Sequence, residues 1–143
     1  MICLLFGFTW ASLAADTADV PKDIKPFQGQ WQFVSVTAGG DSLDRIFEGA
    51  DVFVEKNIVT VTLKQGTQLR WRFVIDAQSS PKCVDFIRID EKGKPLYKEP
   101  TEGIYEFKGG ELKVCTYVKE GARQRPAEFS SEGGQILFIL KRK

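Results

Sequence analysis

Between positions 31 and 141 the chain divides into eight short runs of strand character, at 31–36, 52–55, 58–63, 69–75, 83–89, 104–107, 112–118 and 136–141. Nothing between them reads as the crossover helix that parallel strands would need, so neighbouring strands are expected to pair antiparallel. The run 69–75 is the clearest: Leu69, Trp71, Phe73 and Ile75 alternate with Arg70 and Arg72. In 58–63, Val59, Val61 and Leu63 alternate with Thr60 and Thr62 in the same way. Gln65-Gly66-Thr67, Ser79-Ser80-Pro81 and Lys108-Gly109-Gly110 supply turns between runs. One stretch departs from the period of two. Leu43, Ile46 and Phe47 follow helical spacing after Asp41 and Ser42, either of which could cap a helix of one or two turns lying over a barrel mouth. Gly29-Gln30-Trp31 enters the first run and Arg142 follows the last, which suggests that first and last strands meet. The expected fold is all-β, an eight-stranded antiparallel barrel with one short helix.

Composition narrows the class. The chain has 143 residues, one domain by length, and 20 basic against 19 acidic side chains give a net charge of +1. That balance offers no basic excess for nucleic acid or an anionic membrane. Residues 1–14 carry no charge, contain the apolar run 2–8 and end in Ser12-Leu13-Ala14, the small-x-small pattern of a cleaved secretory signal, although the usual basic start is missing. Residues 15–26, with Pro21 and Pro26, are expected as a flexible leader, and 27–143 as the barrel domain. Export to the periplasm or the exterior follows, with no membrane insertion once the signal is removed. Cys83 and Cys115 remain in the mature chain. The strand 104–107 between theirs would hold them about 9.5 Å apart, so they are expected as free, buried thiols.

Several chemistries are removed by what the chain lacks. It has no histidine, hence no His-based triad, no His metal ligand and no imidazole base. Two distant cysteines make no zinc motif, and no phosphate-cradling glycine loop is present. Asp85, flanked by Val84 and Phe86, must be paired or hydrogen-bonded if it is buried. It is either a polar anchor inside the barrel or the partner of Arg88, Arg125 or a backbone N–H in organising a loop, and the second reading is favoured. Glu106 and Cys115 lack the partners that carboxylate-pair or thiolate catalysis needs. Arg125 could reach over a mouth to bind an anion. Trp31, Phe33, Trp71 and Phe73 face inward as core or as pocket lining. A barrel of eight strands is just wide enough to be filled or to hold one small ligand, and short strands with bulky inward residues point to a small or filled interior.

The Gly-x-Trp entry and the Arg after the last strand resemble the calycin (lipocalin-like) signature. That resemblance implies that Gly29, Trp31 and Arg142 form a structural latch, with the guanidinium packed on the indole. A second resemblance runs through the order Gln28-Gly29-Gln30-Trp31, Pro81-Lys82-Cys83-Val84-Asp85, Gly103-Ile104-Tyr105, Leu112-Lys113-Val114-Cys115 and Arg125-Pro126-Ala127-Glu128-Phe129. It is similar to a bacterial domain family expanded in planctomycetes, which has no established biochemical function, and departs from it in having Cys83 where a small residue is usual. The resulting expectation is an exported, non-enzymatic, monomeric binding module without a cofactor. It would hold a small apolar or amphipathic ligand, or a partner protein, through Trp71, Phe73, Asp85, Tyr105 and Arg125. An enzyme with an Asp85-centred site in the cup, and a filled structural barrel, are the alternatives.

Overall fold

A computed structural model describes residues 20–121 and 123–143. Nine strands run in chain order: β1 Gly29–Ala38, β2 Asp41–Ser42, β3 Asp51–Glu55, β4 Ile58–Thr62, β5 Gln68–Asp76, β6 Lys82–Ile89, β7 Thr101–Lys108, β8 Glu111–Tyr117 and β9 Gln135–Arg142. Each strand from β3 to β8 pairs antiparallel with the next, and β1 pairs with both β3 and β9. Eight strands therefore close into a barrel, as the sequence predicts. β2 is an extra two-residue strand on the end of β1, formed where the chain folds back after Gly39-Gly40. The short helix α1 spans Asp44–Phe47. Its N-cap position is Leu43, not Asp41 or Ser42, although the Ser42 hydroxyl accepts the Asp44 N–H at 3.2 Å. The Asp44 carboxylate instead accepts the Val36 N–H at 2.8 Å, which ties the helix to β1.

The alternation read from sequence sets the inner wall. Trp31, Phe33, Val52, Val54, Val59, Val61, Leu69, Trp71, Phe73, Val84, Phe86, Leu112, Val114, Phe138 and Leu140 all face the interior. The alternation that runs inward through Trp31 and Phe33, and would continue to Ser35, breaks at a bulge between Phe33 and Ser35. Val34 is extruded, so Ser35 pairs with Ile139 on the outside and Val36 takes the inner face opposite Phe138.

One end of the barrel is closed. Gly29 has φ +106°, a backbone conformation that disfavours side chains, and a Cβ there would stand 3.5 Å from Arg142 Nη1. The turn at Gly29 brings Trp31 opposite Arg142, whose guanidinium carbon lies 4.4 Å from the indole centroid. Arg142 also donates to the carbonyls of Gln28 and Pro26. The expected flexible leader is different over its last residues. Lys22–Phe27 form a 3-10 helix that plugs this end, with Ile24 and Phe27 buried in the same core as Trp31. The part of the leader and signal at 1–19 lies outside the described residues.

The 118–134 connection crosses the outer wall. Cys83, Ile104 and Cys115 are register neighbours on outward positions, yet Ile104 and Cys115 have 0% exposure. The connection covers this row: Pro126 is fully buried, and Cys115 Sγ reaches the carbonyls of Ser130 and Glu128 at 3.2 and 3.7 Å. Gln135 bonds the same two carbonyls. Ile104 separates the two thiols, and both are free; Cys115 is buried as expected, whereas Cys83, at the edge of the covered row, is only half-buried. Beneath the connection, Gly103 packs where no side chain fits. A Cβ would meet Thr116 Cγ2 at 2.7 Å and the Cys115 carbonyl at 2.8 Å. Gly103→Ala should therefore cost about 1–3 kcal/mol in urea unfolding. Adding Thr116→Ser should recover only part of that loss, because the carbonyl contact stays; a Gly103→Ala protein with unchanged stability would refute the close approach.

Candidate ligand-binding cup

The interior is not filled. Above the closed floor lies a cavity of about 350 Å³, open towards the end of the barrel where β1, β6 and β8 finish. Its walls are apolar and aromatic: Phe27 and Trp31 at the floor, Phe73, Val84 and Val114 at mid-height, Trp71, Phe86 and Phe138 higher. Phe47 of α1 packs on Phe33 and Phe138, at centroid distances of 4.8 and 6.2 Å, and so closes part of the mouth. Trp71, Phe86, Val114 and Phe138 are only half-buried despite pointing inward, because the cup gives them no opposing side chains. That is the apolar concavity with few polar groups typical of small-molecule sites.

Polar groups gather at the mouth. β5 and β6 place Trp71 opposite Arg88 in register, both inward. The Arg88 guanidinium carbon lies 5.9 Å from the Trp71 centroid. Glu120, from the start of the 118–134 connection, accepts Trp71 Nε1–H at 3.2 Å and stands 3.8 Å from Arg88 Nη1. The Tyr97 phenol donates a hydrogen bond to Glu120, which favours its neutral form, and the carboxylate's charge opposes the phenolate, so the phenol is held above its ordinary value of 10.0. The neighbouring Thr101 hydroxyl accepts Gly121 N–H at 2.9 Å and anchors the connection behind Glu120. Arg70 and Arg72, outward as expected, donate to the carbonyls of Glu91 and Gly93 and so brace the rim loop after β6.

The five residues expected to bind ligand separate into three places. Trp71 and Phe73 line the cavity. Tyr105 is interior but lies beneath it, packed on Phe27 and Phe107 at the floor with 3% exposure. Burial raises its phenol above the ordinary value. Asp85 and Arg125 are not in the cup. Val84 and Phe86 take the inner face, so Asp85 between them points outward, beside Val74 and Glu102. Arg125 Nη2 stands 2.8 Å from Asp85 Oδ1 and 3.4 Å from Glu102 Oε1, while Nη1 donates to the Gly103 carbonyl at 2.7 Å. The Asp85 contact is a close ion pair without an aligned N–H bond. It pins the connection to the outer wall, so an Asp85-centred site in the cup has no geometric basis.

Arg88 and Glu120 were missed as a mouth pair. Arg88 did carry a usable signal, since it continues the inward alternation Val84, Phe86, Arg88. Glu120 carried none, because it lies in an irregular segment. Among the described residues, no three His, Cys, Asp or Glu side chains gather as a metal site requires, and no helix is long and apolar enough to cross a membrane. No protein-family model, curated protein or solved structure matches the chain.

Proposed function

We propose that this chain is an exported, lipocalin-like, non-enzymatic binding module that holds one small apolar or amphipathic molecule in the cup. The observation that carries the reading is the unfilled, aromatic-walled cavity of about 350 Å³ beneath a polar mouth. That volume is at the small end of ligand pockets, about 300–1,000 Å³, and suits a molecule taken up largely by burial of its apolar surface. The latch of Trp31 and Arg142 and the motif order from Gln28 to Phe129 support membership of the planctomycete-type family. The uncharged run at 1–14 supports export. A partner protein at the mouth is the second reading, and the exposed Ile46, Leu96, Tyr97 and Val118 around that end supply the apolar surface it would meet.

Titration with an environment-sensitive apolar dye should give saturable, one-to-one fluorescence enhancement. Val114→Phe, which puts a ring into the cavity from mid-wall, should weaken that binding about tenfold or more while leaving the melting temperature within a few degrees. Dye binding unaffected by the substitution would place it outside the cup and remove the reading. Native mass spectrometry of protein purified from its host would then identify a co-purifying molecule.

A further inference from the structure

The mouth contains a carboxylate receptor already occupied by the chain's own carboxylate. Trp71 Nε1–H and the Arg88 guanidinium converge on Glu120, at 3.2 and 3.8 Å. The fit is slack. An aligned Arg–carboxylate pair is bidentate with N···O separations of about 2.7–2.9 Å, and 3.8 Å is well outside that. Among the described residues the Arg88 guanidinium makes no hydrogen bond to the protein, and with its side chain 32% exposed its donors are reachable from the mouth. A fork of donors held in this way is free to take a better-aligned acceptor.

The two halves of the pair are not equally fixed. Arg88 projects from β6, locked in register against Trp71 of β5. Glu120 follows the end of β8, on an irregular connection held nearby by the Val118–Gly134 and Gly121–Thr101 backbone N–H bonds, by the Tyr97 phenol on Glu120 itself and by the exposed Arg123–Glu99 pair at 3.8 Å, with no strand register to fix it. The cation is part of the wall and the anion is on a segment able to swing out. A pair built this way accepts a foreign anion in exchange for its own, whereas a foreign cation would have to displace the fixed member.

We propose that Glu120 is an internal stand-in for a ligand carboxylate, and that the cup takes an aliphatic monocarboxylic acid with its head on Arg88 and Trp71 and its chain towards Phe27. This rests on the cup being a ligand site. Chain length follows from volume: at roughly 30 Å³ per non-hydrogen group, the share of one water in the liquid, 350 Å³ holds about a dozen such groups. A carboxylate on about ten carbons fills it. On binding, the Glu120 carboxylate leaves Arg88 and Trp71 for solvent, and the ligand carboxylate takes both donors; no covalent bond changes.

Calorimetric titration of the full chain with decanoate, decanol and decylamine tests this. Decanoate should bind about tenfold tighter than decanol, and decylamine weakest. Glu120→Gln keeps the side chain's shape and removes the competing charge, so it should tighten decanoate several-fold and leave decanol unchanged. Arg88→Met should abolish the preference for decanoate over decanol while decanol still binds. If decanol binds but decanoate is no better, or Glu120→Gln fails to tighten decanoate, the stand-in proposal is wrong and the cup reading survives. If none of the three probes binds, both fall.

Discussion

Trp31→Ala should lower the unfolding free energy by about 3–5 kcal/mol, the usual cost of emptying a buried aromatic site. For a chain of this size that is a fall in Tm of roughly 10–20 °C. Three contacts fail together. Trp31 is 2% exposed and occupies the point where β1 pairs with both β3 and β9. Its indole N–H donates to the Phe27 carbonyl at 2.7 Å, so the truncation leaves a buried acceptor unpaired as well as a void. Its ring also carries the Arg142 guanidinium, which reaches the Gln28 carbonyl at 2.7 Å. Trp31→Phe, which keeps most of the volume but loses the N–H, should cost about 1–2 kcal/mol, the desolvation cost of the orphaned carbonyl. A double-mutant cycle with Arg142→Ala should return a coupling of roughly 0.5–2 kcal/mol, the range for a cation on an indole face. A coupling near zero, with Trp31→Ala still severe, would make Trp31 a core residue and nothing more. An alanine variant within about 1 kcal/mol of wild type would remove the latch altogether.

The strands were legible because their inner face is dry and most of their outer face is wet. In β5 the contrast between Leu69, Trp71 and Phe73 and the intervening arginines reports the barrel wall directly. β6 lacks that contrast. Its outward residues Cys83 and Ile89 are apolar, as are Ile104 and Cys115 on the neighbouring strands, because a connection distant in sequence lies over part of this wall. With both faces apolar, a period of two identifies a strand but not its inside, so alternation alone leaves Asp85 open between the cup and the pair with Arg125 that the structure shows. The bulge at Val34 defeats alternation in another way, by adding a residue to one strand and exchanging the faces of all that follow. The mouth pair joins Arg88 to Glu120, and nothing local to either residue specifies the meeting. The 3-10 plug was illegible for a simpler reason: two buried residues among three charges and one proline in 22–27 give too short a pattern to separate from a loose tail.

That plug sets the second large expectation. Phe27→Ala should destabilise the protein by about 3–5 kcal/mol, comparable to the loss of Trp31 although the residue lies before the first strand. Phe27 is 6% exposed, and its ring meets those of Phe73, Tyr105 and Phe107 at centroid distances of 5.5, 5.0 and 4.9 Å. Each such aromatic pair adds roughly 0.5–1.5 kcal/mol beyond buried area. Phe27 is also part of the cavity floor, so its removal deepens the cup instead of leaving only a sealed void. Stability and ligand length should therefore change together. In the wild type, binding of straight-chain carboxylates should peak near ten carbons, whereas in Phe27→Ala the optimum should move to about thirteen or fourteen, since the lost ring frees room for roughly three or four more groups of about 30 Å³ each. Phe27→Leu, which retains most of the floor, should keep the wild-type optimum at a cost of about 1–2 kcal/mol. Chemical denaturation and a chain-length series on the same three proteins decide the matter. A destabilised Phe27→Ala protein with an unshifted optimum would mean that the ligand stops short of the floor, and an undisturbed one that 22–27 is not part of the folded unit.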